Sequence, residues 1–192
     1  MLALLAIGVA VYLIDSIEPR HAPGVLVPEE PAQRPTSSDH HWTMGKYEVT
    51  ALAEYKIRAR VLHTESYWFD HGADLSPLDL AVGWGRMSDQ SIIDQLEFWQ
   101  GQRWYRYWPR KSAFPLTSDD MNAHSANMHL IPASAAVKST LNSLRAGNVA
   151  ELAGYLVEAR GSDGSTWRSS LSRTDTGNGA CELFRVERVT LQ

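Results

Sequence analysis

Residues 122–160, NAHSANMHLIPASAAVKSTLNSLRAGNVAELAGYLVEAR, decide the fold that we expect for this chain. The stretch begins with a polar loop and continues as an amphipathic helix. Ser134 is a good N-cap for that helix, and Gly147 is a natural stop after it. A strand follows with Gly154 inside it, where a glycine allows the tight curvature of a small barrel. We therefore predict that this stretch connects the two halves of a small β-barrel.

The segments on both sides of this stretch carry strand patterns. In residues 47–62, Tyr55 and Ile57 alternate with Lys56, Arg58 and Arg60, which is typical of a half-exposed strand with its basic side chains outward. We predict further strands at residues 80–85, 102–108, 149–159, 166–172 and 180–191, and a short helix in residues 91–100.

This order of elements predicts a mainly β fold with one or two helices. It is the order of an OB-like Greek-key barrel, whose helix lies between the third and fourth strands. An SH3-like barrel and a generic α+β sandwich are the alternatives.

The first 43 residues differ in character from the rest. Residues 1–17 are apolar on all sides of a helix, and they reach the lower limit for a membrane span. A cleaved signal peptide and a soluble core helix are the alternatives to an N-terminal membrane anchor, but the basic start and the small-residue cleavage site of a signal peptide are absent. Five prolines in residues 18–43 predict an extended linker, which leaves residues 44–192 as the barrel domain.

The composition and the apolar N-terminus indicate the cellular location of the protein and the classes of partner it can bind. The net charge of −4 opposes capture of nucleic acid, so we expect no nucleic-acid partner. The anchor predicts a single-pass protein of the inner membrane with its C-terminal domain extracytoplasmic, that is, periplasmic. Arg20, just after the apolar run, counts mildly against that orientation. The single cysteine excludes an internal disulfide and a cysteine-rich zinc site.

Several motifs resemble those of a known group of proteins. Residues 83–89 match a GWGxMSD motif, and residues 169–182 match a closing SSLxRxDxGxGACE motif. Together with HSANMHLIPAS and LRAGNVAELAGYLV, these runs are similar to an uncharacterised family of bacterial, membrane-anchored proteins. The similarity covers most of residues 47–190. It implies a location and a domain, but no activity.

Candidate binding residues occur in several groups. His124, Asn127 and His129 could act as metal ligands or as a general base, or could fasten the loop before the helix. The other candidates lie in the two motifs and in an aromatic strand: Trp84, Arg86, Asp89, Trp104, Arg173 and Asp175. Cys181, at a predicted strand start, is interpreted as a buried structural thiol. We assign no catalytic residue, metal or cofactor.

Tryptophans interleaved with arginines, as in Trp104 and Arg106, predict either core packing or a face that contacts a protein or a glycan. Our functional hypothesis is a membrane-tethered extracytoplasmic binding or assembly module, an accessory subunit of an envelope protein complex. The alternative is a metal-dependent hydrolase or nuclease on an OB-like barrel. That alternative would use His124 and His129 with an acidic set, Asp70, Asp74, Asp79 and Asp89.

Overall fold

The computed structural model describes residues 18–37, 39–172, 175, 177 and 179–192. The predicted anchor, residues 1–17, and the candidate Arg173 lie outside this part of the chain. In the part that is described, no helix is both long enough and apolar enough to span a membrane.

The described chain is mainly β with few, short helices, as the sequence predicts. Its strands are β1 Ala32–Pro35, β2 His41–Met44, β3 Tyr47–Ser66, β4 Leu78–Gly83, β5 Leu96–Gly101, β6 Trp104–Pro109, β7 Ser125–Pro132, β8 Val149–Gly161, β9 Thr166–Arg168 and β10 Glu182–Leu191. Its α-helices are α1 Gln90–Ile93, α2 Ser118–Ala123 and α3 Ala135–Ser143, and a 3₁₀ turn covers Gly85–Ser88.

Five strands pair in a closed ring, which we call the ring. β3 pairs with β4, β4 with β7, β7 with β10, β10 with β8, and β8 again with β3. All of these pairings are antiparallel except β7 with β10, which is parallel. The 20-residue length of β3 lets it pair with both β4 and β8. The ring encloses the largest apolar cluster, in which Leu80, Met128, Leu130 and Phe184 are fully buried.

From Ser134 onward, the central stretch folds as its local signals predict. The Ser134 hydroxyl accepts a hydrogen bond from the backbone N–H of Val137 and so caps α3. Gly147 follows the helix with φ of +92°, a conformation that favours glycine. Gly154 lies in β8 where it passes β10, and a Cβ there would lie 2.1 Å from the carbonyl oxygen of Arg185. The close approach of β8 and β10 therefore requires this glycine.

Three local predictions are wrong. The polar loop predicted at the start of the central stretch is instead β7, which is the third strand of the ring, whereas the aromatic strand predicted in residues 102–108 lies outside the ring. The helix predicted in residues 91–100 ends at Ile93, and β5 begins at Leu96, because β5 pairs with the aromatic strand β6 in a separate hairpin. Arg60, predicted to point outward, is 3% exposed. Its guanidinium donates to the carbonyl of Ser88 and to the side chain of Gln90, and these bonds compensate for its burial.

The segment predicted as a linker follows the surface of the domain. Val27 is fully buried in the ring core, and the Ser88 hydroxyl accepts hydrogen bonds from the N–H groups of Leu26 and Val27. β1 and β2, farther along, pair with β3. Most of residues 18–43 therefore contribute contacts to the fold.

Candidate functional site

A cleft of about 720 Å³ opens on the outer surface of the ring. Its walls come from the loop between β3 and β4, from the tip of the β5–β6 hairpin, and from the segments around β9 and before β10. The side chains that line it include Asp70, Arg103, Trp104, His129, Trp167 and Cys181. Parts of the chain that are distant in sequence thus meet at one concave surface, the usual form of a ligand site.

Strand register places the polar groups of the cleft side by side. Asp79 of β4 lies opposite His129 of β7. In the parallel pair, Leu183 of β10 lies opposite His129, so Cys181, two residues earlier, is next to Asn127. Alternate residues of a strand face the same side. Since the residues between them face the ring core, this polar row lies on the outer surface of the ring.

His129 and Asp79 form a buried ion pair at the centre of the row. Nδ1 of His129 lies 2.9 Å from Oδ1 of Asp79, and the two side chains are 5% and 1% exposed. His129 Nδ1 makes no well-aligned hydrogen bond within the described chain, so its contact with Oδ1 is an ion pair. Burial lowers the pKa of His129, but contact with Asp79 and with Cys181 outweighs it and raises the pKa to about 9. The imidazole is therefore cationic at neutral pH.

Arg103 fastens the hairpin tip over this pair. Gln102 and Arg103 both have positive φ, 51° and 68°, as a two-residue type I′ turn requires, although neither is a residue that favours it. The guanidinium binds both carboxylate oxygens of Asp70, at 2.6 and 2.8 Å, and Oδ1 of Asp79 at 3.0 Å. Its hydrogen bond and charge hold the pKa of Asp70 below its usual value. The two cationic groups of the site, Arg103 and His129, are thus balanced by the carboxylates of Asp70 and Asp79.

Cys181 is the thiol of the cleft. Its side chain is half-buried, it contacts His129, and its Sγ accepts a hydrogen bond from Nδ2 of Asn127 at 3.7 Å. Asn127 is itself held by its bonds to Gln100 and to the carbonyl of Arg103. The predicted burial of Cys181 is therefore wrong, because the strand start that carries it opens into the cleft.

The hairpin presents a second surface next to the cleft. Trp99, Trp104 and Trp108 are 41%, 39% and 45% exposed, and they form the solvent side of the hairpin, which we call the tryptophan face. The Trp99 ring lies over Gly101, the cross-strand neighbour of Trp104, and Arg106 lies beside Trp99. Phe98, Tyr105 and Tyr107 pack on the opposite side, against an apolar cluster on the outside of the ring. Trp104 also lines the cleft and so joins the two surfaces.

The structure brings together only some of the candidate residues. His129 and Trp104 line the cleft and Asn127 contacts its thiol, whereas His124 ends α2 and packs on Gly85. The remaining candidates lie elsewhere: Trp84 is buried and donates to Glu30, Arg86 is exposed, Asp89 caps α1, and Asp175 accepts a hydrogen bond from Ser170.

The acidic set of the alternative hypothesis is also divided. Asp70 and Asp79 both bind Arg103, Asp74 pairs with Lys46, and Asp89 caps a helix. Across the described residues, no group of three or more His, Cys, Asp or Glu side chains is placed to hold a metal ion. Comparisons with protein families, with curated proteins and with solved structures found no match. The resemblance drawn from the motifs stays a prediction.

Proposed function

We propose that this chain is a membrane-tethered, extracytoplasmic binding module built on an OB-like Greek-key barrel. The ring supports the proposed barrel because its order follows the OB pattern: β3, β4 and β7 as the first three strands, β8 as the fourth and β10 as the fifth. α3 lies between the third and fourth of these strands, as an OB-like barrel requires.

The position of the cleft supports a binding role. OB-folds bind their ligands on the face of strands two and three and between the loops that join strands one to two and four to five. Here those positions correspond to β4 and β7, to residues 67–77 and to residues 162–181. The cleft lies among these segments.

One observation carries the proposal: three tryptophans lie exposed on one side of a short hairpin. Tryptophan and arginine are enriched among the residues that dominate protein–protein binding energy, and Arg106 lies among these rings. Exposed large apolar groups that adjoin one another mark an interaction site. The proposed partner is a protein of an envelope complex, and the chain is its accessory subunit in the inner membrane.

Site-specific photo-crosslinking of the full chain in intact cells tests this proposal. A photoreactive phenylalanine derivative replaces Trp104 or Trp108, and a matched control replaces Lys138, which is exposed on α3. We expect one discrete crosslinked species from both hairpin positions and none from the control. Absence of any crosslink from the hairpin, or the same species from Lys138, would contradict the proposal.

A further inference from the structure

We infer that the cleft holds a nucleophilic centre for acyl transfer, with Cys181 as the nucleophile, His129 as its general acid–base partner and Asp79 as the residue that positions the imidazole. This inference rests on the cleft being a ligand site, as proposed above, and adds a reaction to it.

The geometry contains the parts that a thiol nucleophile needs. A base lies in contact with the thiol, and a third group orients the base. His129 contacts Cys181, and Asp79 lies 2.9 Å from the Nδ1 atom of His129. The half-buried thiol lines the cleft, whereas Asp79 is buried behind the imidazole. A substrate can therefore reach the sulfur while Asp79 stays screened from solvent.

The reaction proceeds in two balanced steps. Cys181 reacts as the thiolate beside the His129 imidazolium, and Sγ attacks the carbonyl carbon of an ester, thioester or amide, so that a C–S bond forms. When the carbonyl is restored, the bond to the leaving group breaks, and that group takes the proton from His129. Water, or an amine, then adds to the thioester and gives its proton to His129. The C–S bond breaks, the acyl group leaves on the acceptor, and the thiolate beside the His129 imidazolium is restored.

Other side chains of the cleft suit this chemistry. Nδ2 of Asn127, 3.7 Å from Sγ, is a donor placed beside the oxyanion that forms next to the sulfur. The rings of Trp104 and Trp167 form apolar walls, and the Trp167 ring centroid lies 4.9 Å from that of His129. The substrate class that fits is an acyl donor with an apolar or flat acyl group.

Reaction of the full chain with p-nitrophenyl acetate, followed by intact-mass and peptide mass spectrometry, tests this inference. We expect a rapid release of p-nitrophenolate and one acetyl group on Cys181. We expect no adduct at this position in Cys181→Ala, and formation slowed by about 100-fold in His129→Gln. His124→Gln, a histidine outside the cleft, is the matched control and should react like the unmodified chain.

An unmodified Cys181 in a chain whose circular dichroism shows the native fold would overturn the inference, and so would equal rates in His129→Gln and the control. Asp79→Asn provides a second readout, because a positioning role predicts a shifted pH profile of acylation as well as a slower rate. The crosslinking experiment is independent. The Cys181→Ala variant should take no acetyl group. If it still crosslinks through position 108, the proposed binding function is retained although the reaction is lost.

Discussion

Replacing Asp79 with asparagine removes the charge that holds His129 cationic and leaves the shape of the side chain nearly unchanged. Asp79 is 1% exposed, and it contacts both His129 and Arg103. Arg103 keeps its two bonds to Asp70 in the variant. In the described part of the chain, the carboxylate that pairs with His129 is that of Asp79, and the substitution removes it. The substitution therefore acts chiefly on the histidine.

The magnitude follows from the shift in the pKa of His129. A rise from 6.5 to about 9 corresponds to about 3 kcal/mol of stabilisation. Because the folded pKa is raised, this stabilisation is fully present below pH 6.5 and is lost as the pH rises through 9. In Asp79→Asn the burial of the imidazole is no longer offset by the carboxylate, so the pKa of His129 should fall toward or below 6.5. The variant should also be less stable at pH 6, by about 3–5 kcal/mol.

The assay is an NMR titration of the His129 imidazole, combined with urea unfolding at several pH values between 5.5 and 9.5. Asp74→Asn, which breaks the surface pair with Lys46, is the matched control and should leave the titration of His129 unchanged. We expect the free energy of unfolding to fall with rising pH in the unmodified chain and to depend much less on pH in Asp79→Asn. A titration midpoint of His129 at or below pH 6.5 in the unmodified chain would contradict the raised pKa. The same midpoint in both proteins would contradict the role of Asp79 in raising it.

Three further substitutions test how the local structure is stabilised, each by urea unfolding. Ser134→Ala should cost about 1 kcal/mol through loss of the α3 cap, whereas Ser139→Ala, on the exposed side of the same helix, should cost much less; equal losses would contradict the capping role. Gly154→Ala should cost about 1–3 kcal/mol or more, because its Cβ would meet the carbonyl of Arg185 at 2.1 Å; an unchanged stability would show that β8 and β10 can separate freely. Gln102→Asn should stabilise the hairpin by up to about 1 kcal/mol, since asparagine tolerates positive φ; a loss would argue against strain at this turn.

Local signals predict much of the scaffold. Ser134 caps α3 because a hydroxyl before an amphipathic run satisfies a free N–H, and this effect depends on only a few neighbouring residues. The long strand β3 shows its period of two wherever one side faces the core. The helix predicted over residues 91–100 is wrong because its apolar spacing fits both a helix and a strand, and only the pairing of β5 with β6 decides between them.

The site is less accessible to sequence reasoning because it depends on which strands are neighbours. Asp79, His129 and Cys181 are separated by 50 and 52 residues, and only the β4–β7–β10 order places them side by side. Asn127 and His129 face the same side of β7, and the polar loop predicted for these residues does not show this. His124 shares their histidine-rich stretch but lies before the strand begins, where it ends a helix instead. The polar residues Asn127 and His129, two positions apart in an otherwise apolar run, are the signal that could have identified this part of the site.

The rate at which iodoacetamide alkylates Cys181 in the folded chain shows whether the cleft opens onto a thiol that is activated by His129. The measurement uses peptide mass spectrometry at neutral pH, with and without the His129→Gln substitution. We expect that Cys181 is modified without unfolding, and that the rate falls by about tenfold or more in His129→Gln. A thiol that reacts only at urea concentrations that unfold the chain, or that reacts equally fast in both proteins, would contradict it.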